Sequence, residues 1–219
     1  MSSLIDHLGL TENHIYEVVL STYGREGRPH AAPMGMTFRQ PREIIIRPFK
    51  TSLTYNNLCE SRCGVVNVTS DPELFYRTAF KETLPSGESP QEWFETAKKV
   101  KAPRLKLAPY HIEFVVKWIG EEIRERAIIS CEVKGFKGEK IFSRPYCRAA
   151  FASIECIIHA TRIKEYLSRG WVETAEELIR LVNNYRSLCE RVAPHSKYTK
   201  IVDELLAFIE IWRQQAKVG

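Results

Sequence analysis

Two cations and three hydroxyls crowd one short stretch of this chain, Arg47-Pro-Phe-Lys-Thr-Ser-Leu-Thr54. It reads as a strand end, a hydroxyl-rich turn and the start of a short helix that runs to about Leu58. Gly64-Val-Val-Asn-Val-Thr69 follows as the next strand. The first turn of a helix has N–H groups without intrahelical partners, and its dipole favours negative charge. Arg47, Lys50, Thr51, Ser52 and Thr54 therefore compose a candidate phosphate site. Ser52 has a second reading as a plain helix cap, a common use of hydroxyls. Tyr55, not Glu or Gln, stands three residues later, so a reciprocal capping box is absent and an external anion could take that role.

The surrounding elements would have to hold this turn in place. Ile15 to Thr22 is β-branched and apolar enough for a buried strand, and Tyr23-Gly-Arg-Glu-Gly-Arg28 carries the glycines of a hairpin turn. His30-Ala-Ala-Pro-Met-Gly-Met-Thr37 reads as a second strand made of small residues. Pro33 lacks a ladder donor and Gly35 a packing side chain, so both sit poorly in a central strand. Either a ligand or another backbone comes close here, or the strand is a bulged edge. Tyr110 to Ile119 and Arg124 to Lys134 read as two further strands that complete a barrel. Between them and the first half, Lys81 to Arg104 is a long connection, with a flexible loop at Leu84 to Pro90 and a short helix opened by Trp93 and Phe94. Connections of this length are often lids or dimer arms.

From Arg148 onward the period changes. Phe151, Ile154, Ile157, Ile158 and Thr161 recur at helical spacing, as do Trp171, Ala175, Leu178, Ile179, Val182, Tyr185 and Cys189, and then Tyr198, Ile201, Val202, Leu205, Ile209 and Trp212. Gly170 and Pro194 punctuate them. Three amphipathic helices are expected, each with one apolar face that packs on the barrel, on the other helices or on a second subunit. The domain boundaries read as 1–146 for the barrel and 147–219 for a helical subdomain.

In this order the motifs resemble the flavin-binding split-barrel superfamily, which includes flavin reductases and pyridoxamine-phosphate-oxidase-like proteins. More closely, His30-Ala-Ala-Pro-Met-Gly35, Arg47-Pro-Phe-Lys-Thr-Ser52, Asn67-Val-Thr69 and Arg148…His159-Ala-Thr-Arg162 resemble a mainly archaeal family of flavin mononucleotide (FMN) proteins of unknown function. The resemblance implies a mainly β fold with α: an FMN-binding split β-barrel followed by a C-terminal helical subdomain. It also implies a homodimer with FMN near the subunit interface. Carried over by residue, Arg47, Lys50, Thr51, Ser52 and Thr54 would hold the FMN phosphate, and Ala32, Pro33, Met34 and Gly35 would lie along the isoalloxazine edge. Asn67 would sit beside the ribityl chain or ring, or else satisfy local backbone. The chain departs from the flavin reductases after Thr69, so reductase activity is not inherited, and no pyridoxal-phosphate site carries over. Two functions of different class remain: an FMN-dependent oxidoreductase acting on an unidentified small molecule, and a non-catalytic flavin carrier or sensor. A small-ligand-binding barrel without flavin chemistry stands behind them.

Composition narrows the rest. The chain has 219 residues, enough to bury a sizeable core, and a formal net charge of +5. The basic excess is spread along the sequence with no basic run or aromatic RNA motif, which argues against nucleic acid as a partner. No apolar run approaches the roughly 20 residues of a membrane span, and the polar start does not read as a signal peptide, so a cytoplasmic protein is expected. Six cysteines lack a second zinc-spaced pair, and Cys131, Cys147, Cys156 and Cys189 read as single buried thiols, with no metal implied. His30 leads the small-residue strand and could bond a ligand or be a satisfied structural histidine; His159 reads as a packed helix residue.

Overall fold

A computed structural model describes residues 8–39, 41–81, 84, 88–121, 125–138 and 145–218. The chain divides into two compact units, Met1–Tyr146 and Cys147–Gly219.

The first unit begins with β1 (Ile15–Tyr23), whose Val18, Val19, Leu20, Ser21 and Thr22 are all fully buried. A single 3-10 turn, Arg25–Gly27, reverses the chain, with Gly27 at φ 72 in the left-handed region that glycine enters without strain. β2 (Pro29–Arg39) then pairs with β1 along its length, from Pro29 opposite Tyr23 to Thr37 opposite Ile15. This register contains no bulge. β3 (Glu43–Ile46) covers only Met36 to Arg39 on the other side of β2. Pro33 is tolerated for that reason: it faces β1 on one side and an uncovered edge on the other, so its missing N–H disrupts no second ladder.

After the helix α1 (Leu53–Ser61), Arg62 adopts the left-handed conformation at φ 54 and its N–H caps Leu58. β4 (Cys63–Val68) follows, pairing with β1 and with β7 (Tyr110–Glu121). β8 (Ala127–Gly138) inserts between β7 and β3 and closes a six-stranded antiparallel barrel in the order β1-β2-β3-β8-β7-β4. Val18, Leu20, Met36, Phe38, Ile44, Ile46, Val66, Ile112, Phe114 and Ile129 are fully buried in this unit, each stabilising it by about 1.5–3 kcal/mol relative to exposure. The strand expected from Arg124 to Lys134 is described from Ala127 and runs on to Gly138; residues 122–124 lie outside the described residues.

The long connection is not a helix at Trp93 and Phe94. Trp93 ends a 3-10 turn (Gln91–Trp93), and Phe94 opens β5 (Phe94–Thr96), which pairs with β6 (Pro103–Leu105). The expected loop at Leu84 to Pro90 falls partly outside the described residues. With α2 (Pro72–Ala79), capped by Asp71 Oδ1 on the Glu73 N–H at 2.9 Å, this strap covers the barrel wall. Val19, Ala31, Leu74, Phe94, Leu105 and Ala108 form one apolar cluster beneath it, and Cys63, Val65, Ala97 and Ala102 another. All six residues of β4 are buried as a result, which removes the alternation of a one-sided strand. Polar clasps fix the strap. The Glu113 carboxylate accepts from the N–H groups of Lys98, Lys99 and Val100 at 2.5–3.2 Å, Ser21 Oγ donates to the Pro103 carbonyl at 2.6 Å, and His111 Nε2 meets the Leu105 carbonyl at 2.8 Å.

The second unit comprises α3 (Arg148–Ser168), α4 (Val172–Val192) and α5 (Lys197–Val218). Gly170, at φ 73, separates the first two. The buried face of α4 carries Ala175, Ile179, Val182 and Cys189, in line with its period. On α3 the periodic large residues are not the packed ones in the single chain: Phe151, Ile154, Ile157 and Ile158 are 39–52% exposed, while Ala149, Ala152, Cys156, Ala160, Ile163 and Leu167 are buried. Small residues on one side let α3 pack against both α4 and α5. Nor do the buried thiols lie singly. Burial, with the charge of Cys189 beside it, pushes the Cys156 thiol up to about 12, and Cys189 is itself raised by burial and by Cys147. All six cysteines are free. Among the described residues no helix is long and apolar enough to cross a membrane, and no cluster of three or more His, Cys, Asp or Glu could hold a metal ion.

Candidate functional site

β3 stops at Ile46, and the chain then turns away from β2. From that point Ala31 to Gly35 have no backbone partner other than β1 among the described residues. The gap so formed has two fixed ends. At one, Met36 pairs with Ile46; at the other, His30 Nε2 lies 3.2 Å from Thr54 Oγ1. One side is the uncovered edge of β2, with Ala32, Pro33, Met34 and Gly35 all half-buried. The other is the turn from Arg47 to Ser52 and the first turn of α1.

The turn is held by the barrel's last strand. Pro48 accepts from the Ala127 N–H at 3.0 Å, and the Lys50 N–H donates to the Glu125 carbonyl at 2.9 Å. Arg126 donates to the Arg47 carbonyl at 2.8 Å and stacks its guanidinium 4.0 Å above the Phe49 ring. Arg126 is thus a third cation at the turn, one that sequence reasoning missed because it comes from a distant strand. Ser52 is the N-cap: its Oγ accepts from the Tyr55 N–H at 3.2 Å and donates to the Phe49 carbonyl at 2.7 Å. The N–H groups of Leu53 and Thr54 remain at the helix start without intrahelical partners. Lys50 is half-buried and Thr51 exposed beside them. A backbone edge facing a helix N-terminus with cations and hydroxyls can take a flat heterocycle along one side and an anion at the other.

The other anticipated residues are placed differently. Arg47 lines a groove of about 460 Å³ on the barrel wall with Arg39, Lys117 and Trp118. Thr54 is only 1% exposed, so its hydroxyl is held inside by His30 and is not at the surface. Asn67 is fully buried under the strap. Its amide donates to the Val19 carbonyl and Ser21 Oγ, both at 2.9 Å, and its oxygen accepts from the Leu105 N–H at 2.8 Å. A Cβ added at Gly35 would meet a methyl of Ile15 at 3.2 Å, so the close approach there comes from β1 side chains. His30 itself is driven well below the ordinary imidazole range, to about 4, by burial and by the Lys81 charge. Beyond the turn, a cleft of about 560 Å³ runs along α1, bordered by Leu53, Asn56, Cys59 and the Arg25–Glu60 ion pair at 3.1 Å.

Several solved structures are similar. The FMN-bound protein MM1853 from Methanosarcina mazei matches at 26% identity over 94% of this chain and 99% of its own, with a TM-score of 0.53. The styrene monooxygenase flavin reductase of Pseudomonas putida matches at 16% identity over 57% and 81%, with a TM-score of 0.48. The NADH:FAD oxidoreductase SgcE6 of Streptomyces globisporus matches at 14% identity over 62% and 80%, also at 0.48. No curated protein matches the chain significantly. The family model described as the N-terminal domain of a protein of unknown function, DUF447, matches residues 16–141, which spans the barrel from β1 to β8. This chain is a member of the DUF447 family.

Proposed function

We propose that this protein binds FMN in the gap between the edge of β2 and the turn before α1. The observation that carries the reading is the juxtaposition itself: an uncovered backbone edge at Ala31 to Gly35, facing a helix start with Lys50, Thr51 and Ser52. The FMN-bound relative of the same family supports the choice of ligand. In this reading the helix N–H groups, Lys50 and Thr51 hold the phosphate, with Arg47 and Arg126 flanking, while Ser52, its hydroxyl proton engaged by the Phe49 carbonyl, caps the helix start. Backbone groups of Ala32, Pro33, Met34 and Gly35 meet the ring edge. Thr54 supports the turn from inside, and Asn67 supports the strap.

When bound, the flavin would supply redox chemistry, while the chain binds and orients it. We further propose an oxidoreductase acting on a small molecule, in a cytoplasmic homodimer with the flavin near the subunit interface. A carrier or sensor is the second reading. It is favoured by His30, the histidine at the gap, which stays neutral down to about pH 4 and so offers no ready proton near neutrality. Anaerobic reduction of the bound flavin by NADH, NADPH or a deazaflavin donor at a useful rate would select the enzyme.

Ligand assignment is tested by purification and titration. The protein should purify yellow or take up added FMN at micromolar concentration. Lys50→Ala should weaken FMN by roughly ten- to more than a hundredfold, the effect of losing a charge-assisted bond of about 1.5–3 kcal/mol. Riboflavin, without the phosphate, should hardly respond. Equal losses for both ligands would show that Lys50 acts on the fold or the ring.

A further inference from the structure

His30 and Thr54 come from different elements, β2 and α1, and meet at 3.2 Å through Nε2 and Oγ1. Thr54 is the second residue of α1 and is buried to 1% exposure, so its hydroxyl faces the protein. Further along α1, the Asn57 amide donates to Thr22 Oγ1 at 3.0 Å. The two ties serve different ends. Asn57 holds the body of the helix to β1, whereas the histidine bond holds its first turn to β2, the strand that forms the other wall of the gap.

We propose that His30 is a positioning residue: acting through Thr54, it ties the first turn of α1 to β2 and sets the span between the helix N–H groups and the strand edge. The inference rests on the FMN reading of that gap. A neutral imidazole offers one donor and one acceptor nitrogen, and a threonine hydroxyl can play either part. The bond therefore holds in either tautomer and needs no charge on the ring. Lys81, just past α2, donates from Nζ to the Thr78 carbonyl at 3.0 Å and keeps a positive charge near the imidazole, which disfavours protonation. Neutral His30 then ties the turn without adding a charge of its own beside the phosphate site. Its role is geometric.

The test is titration of FMN and riboflavin into apo protein, followed by flavin fluorescence, for wild type, His30→Phe, His30→Gln, Thr54→Val, Thr54→Ser and the His30→Phe/Thr54→Val double variant. His30→Phe and Thr54→Val should each weaken FMN about tenfold, the scale of one hydrogen bond, with riboflavin changed less than about twofold. The double variant should bind no worse than the weaker single one, because both remove the same tie. His30→Gln and Thr54→Ser keep the bonding atoms and should restore most of the affinity. Additive losses, or a His30→Phe protein that binds FMN like wild type, would overturn the positioning role. Should His30→Phe fail to fold, the Thr54→Val and Thr54→Ser pair decides: equal FMN affinities overturn it, and a loss confined to Val supports it. A wild-type protein that binds neither flavin removes the FMN reading, and the inference with it, before any variant is compared.

Discussion

Acid should destabilise the barrel through His30, and the size of the effect follows from its environment. The imidazole titrates near 6.5 when unfolded and near 4 when folded, because burial and Lys81 oppose its charge. The folded state therefore binds fewer protons than the unfolded state between these values. Stability from this group is fully present above pH 6.5 and is lost as the pH falls toward about 4, after which it levels off. A difference of about 2.5 units corresponds to roughly 3 kcal/mol over the whole window, and to about 2 kcal/mol between pH 7 and pH 5. For a chain of this size, 2 kcal/mol is a fall in midpoint of roughly 4–8 °C. The assay is thermal or urea denaturation of apo wild type and His30→Gln at pH 7 and pH 5. His14 and His111 are also held low by burial, but both proteins carry them, so the comparison isolates His30. Wild type should lose about 2 kcal/mol more than the variant on acidification. An equal loss in the two proteins would mean that the folded state accepts the charge on His30, and the argument from burial would fail.

Asn67→Ala should cost about 1–3 kcal/mol, because the Val19 carbonyl and the Leu105 N–H lose a buried partner; hydrogen exchange at Leu105 should accelerate, with FMN affinity unchanged. A loss of FMN affinity without a fall in the thermal midpoint would instead place Asn67 against the ligand. At Gly120, an added Cβ would collide with the Trp118 ring, so Gly120→Ala should drive that half-exposed indole off the strand. A shift in tryptophan emission checks it, and an unchanged spectrum would show that the ring already lies elsewhere.

What could be read from the sequence was local. The glycines between Tyr23 and Arg28 announced a reversal, and the hydroxyls at Thr51 and Ser52 announced a helix start, because turn and cap chemistry lie within a few residues. The strap could not be read. β5 and β6 have three residues each, too few for alternation to register, and what holds them is the Leu105 bond to Asn67 and the grip of Glu113 on the stretch between them, both far away in the chain. In α3 the helical period was plain, but two faces share it. Large side chains such as Phe151 and Ile154 mark one face, whereas close packing of the helices takes the alanines of the other. Arg126 and the His30–Thr54 bond depend on strand register and helix docking, which leave no trace in sequence spacing.

The position of β8 has a consequence for how the protein is made. β3 cannot pair on its second side, nor can the barrel close, until β8 leaves the ribosome. The same strand brings the Glu125 carbonyl and Ala127 N–H that hold the turn at Pro48 and Lys50. A nascent chain ending short of β8 therefore has every residue of the turn before α1 but lacks the two backbone bonds that Glu125 and Ala127 lend it. It exposes instead the open edges of β3 and β7, the kind of surface on which incomplete sheets associate with one another. In the proposed reading, flavin capture at this turn waits on the last step of barrel assembly.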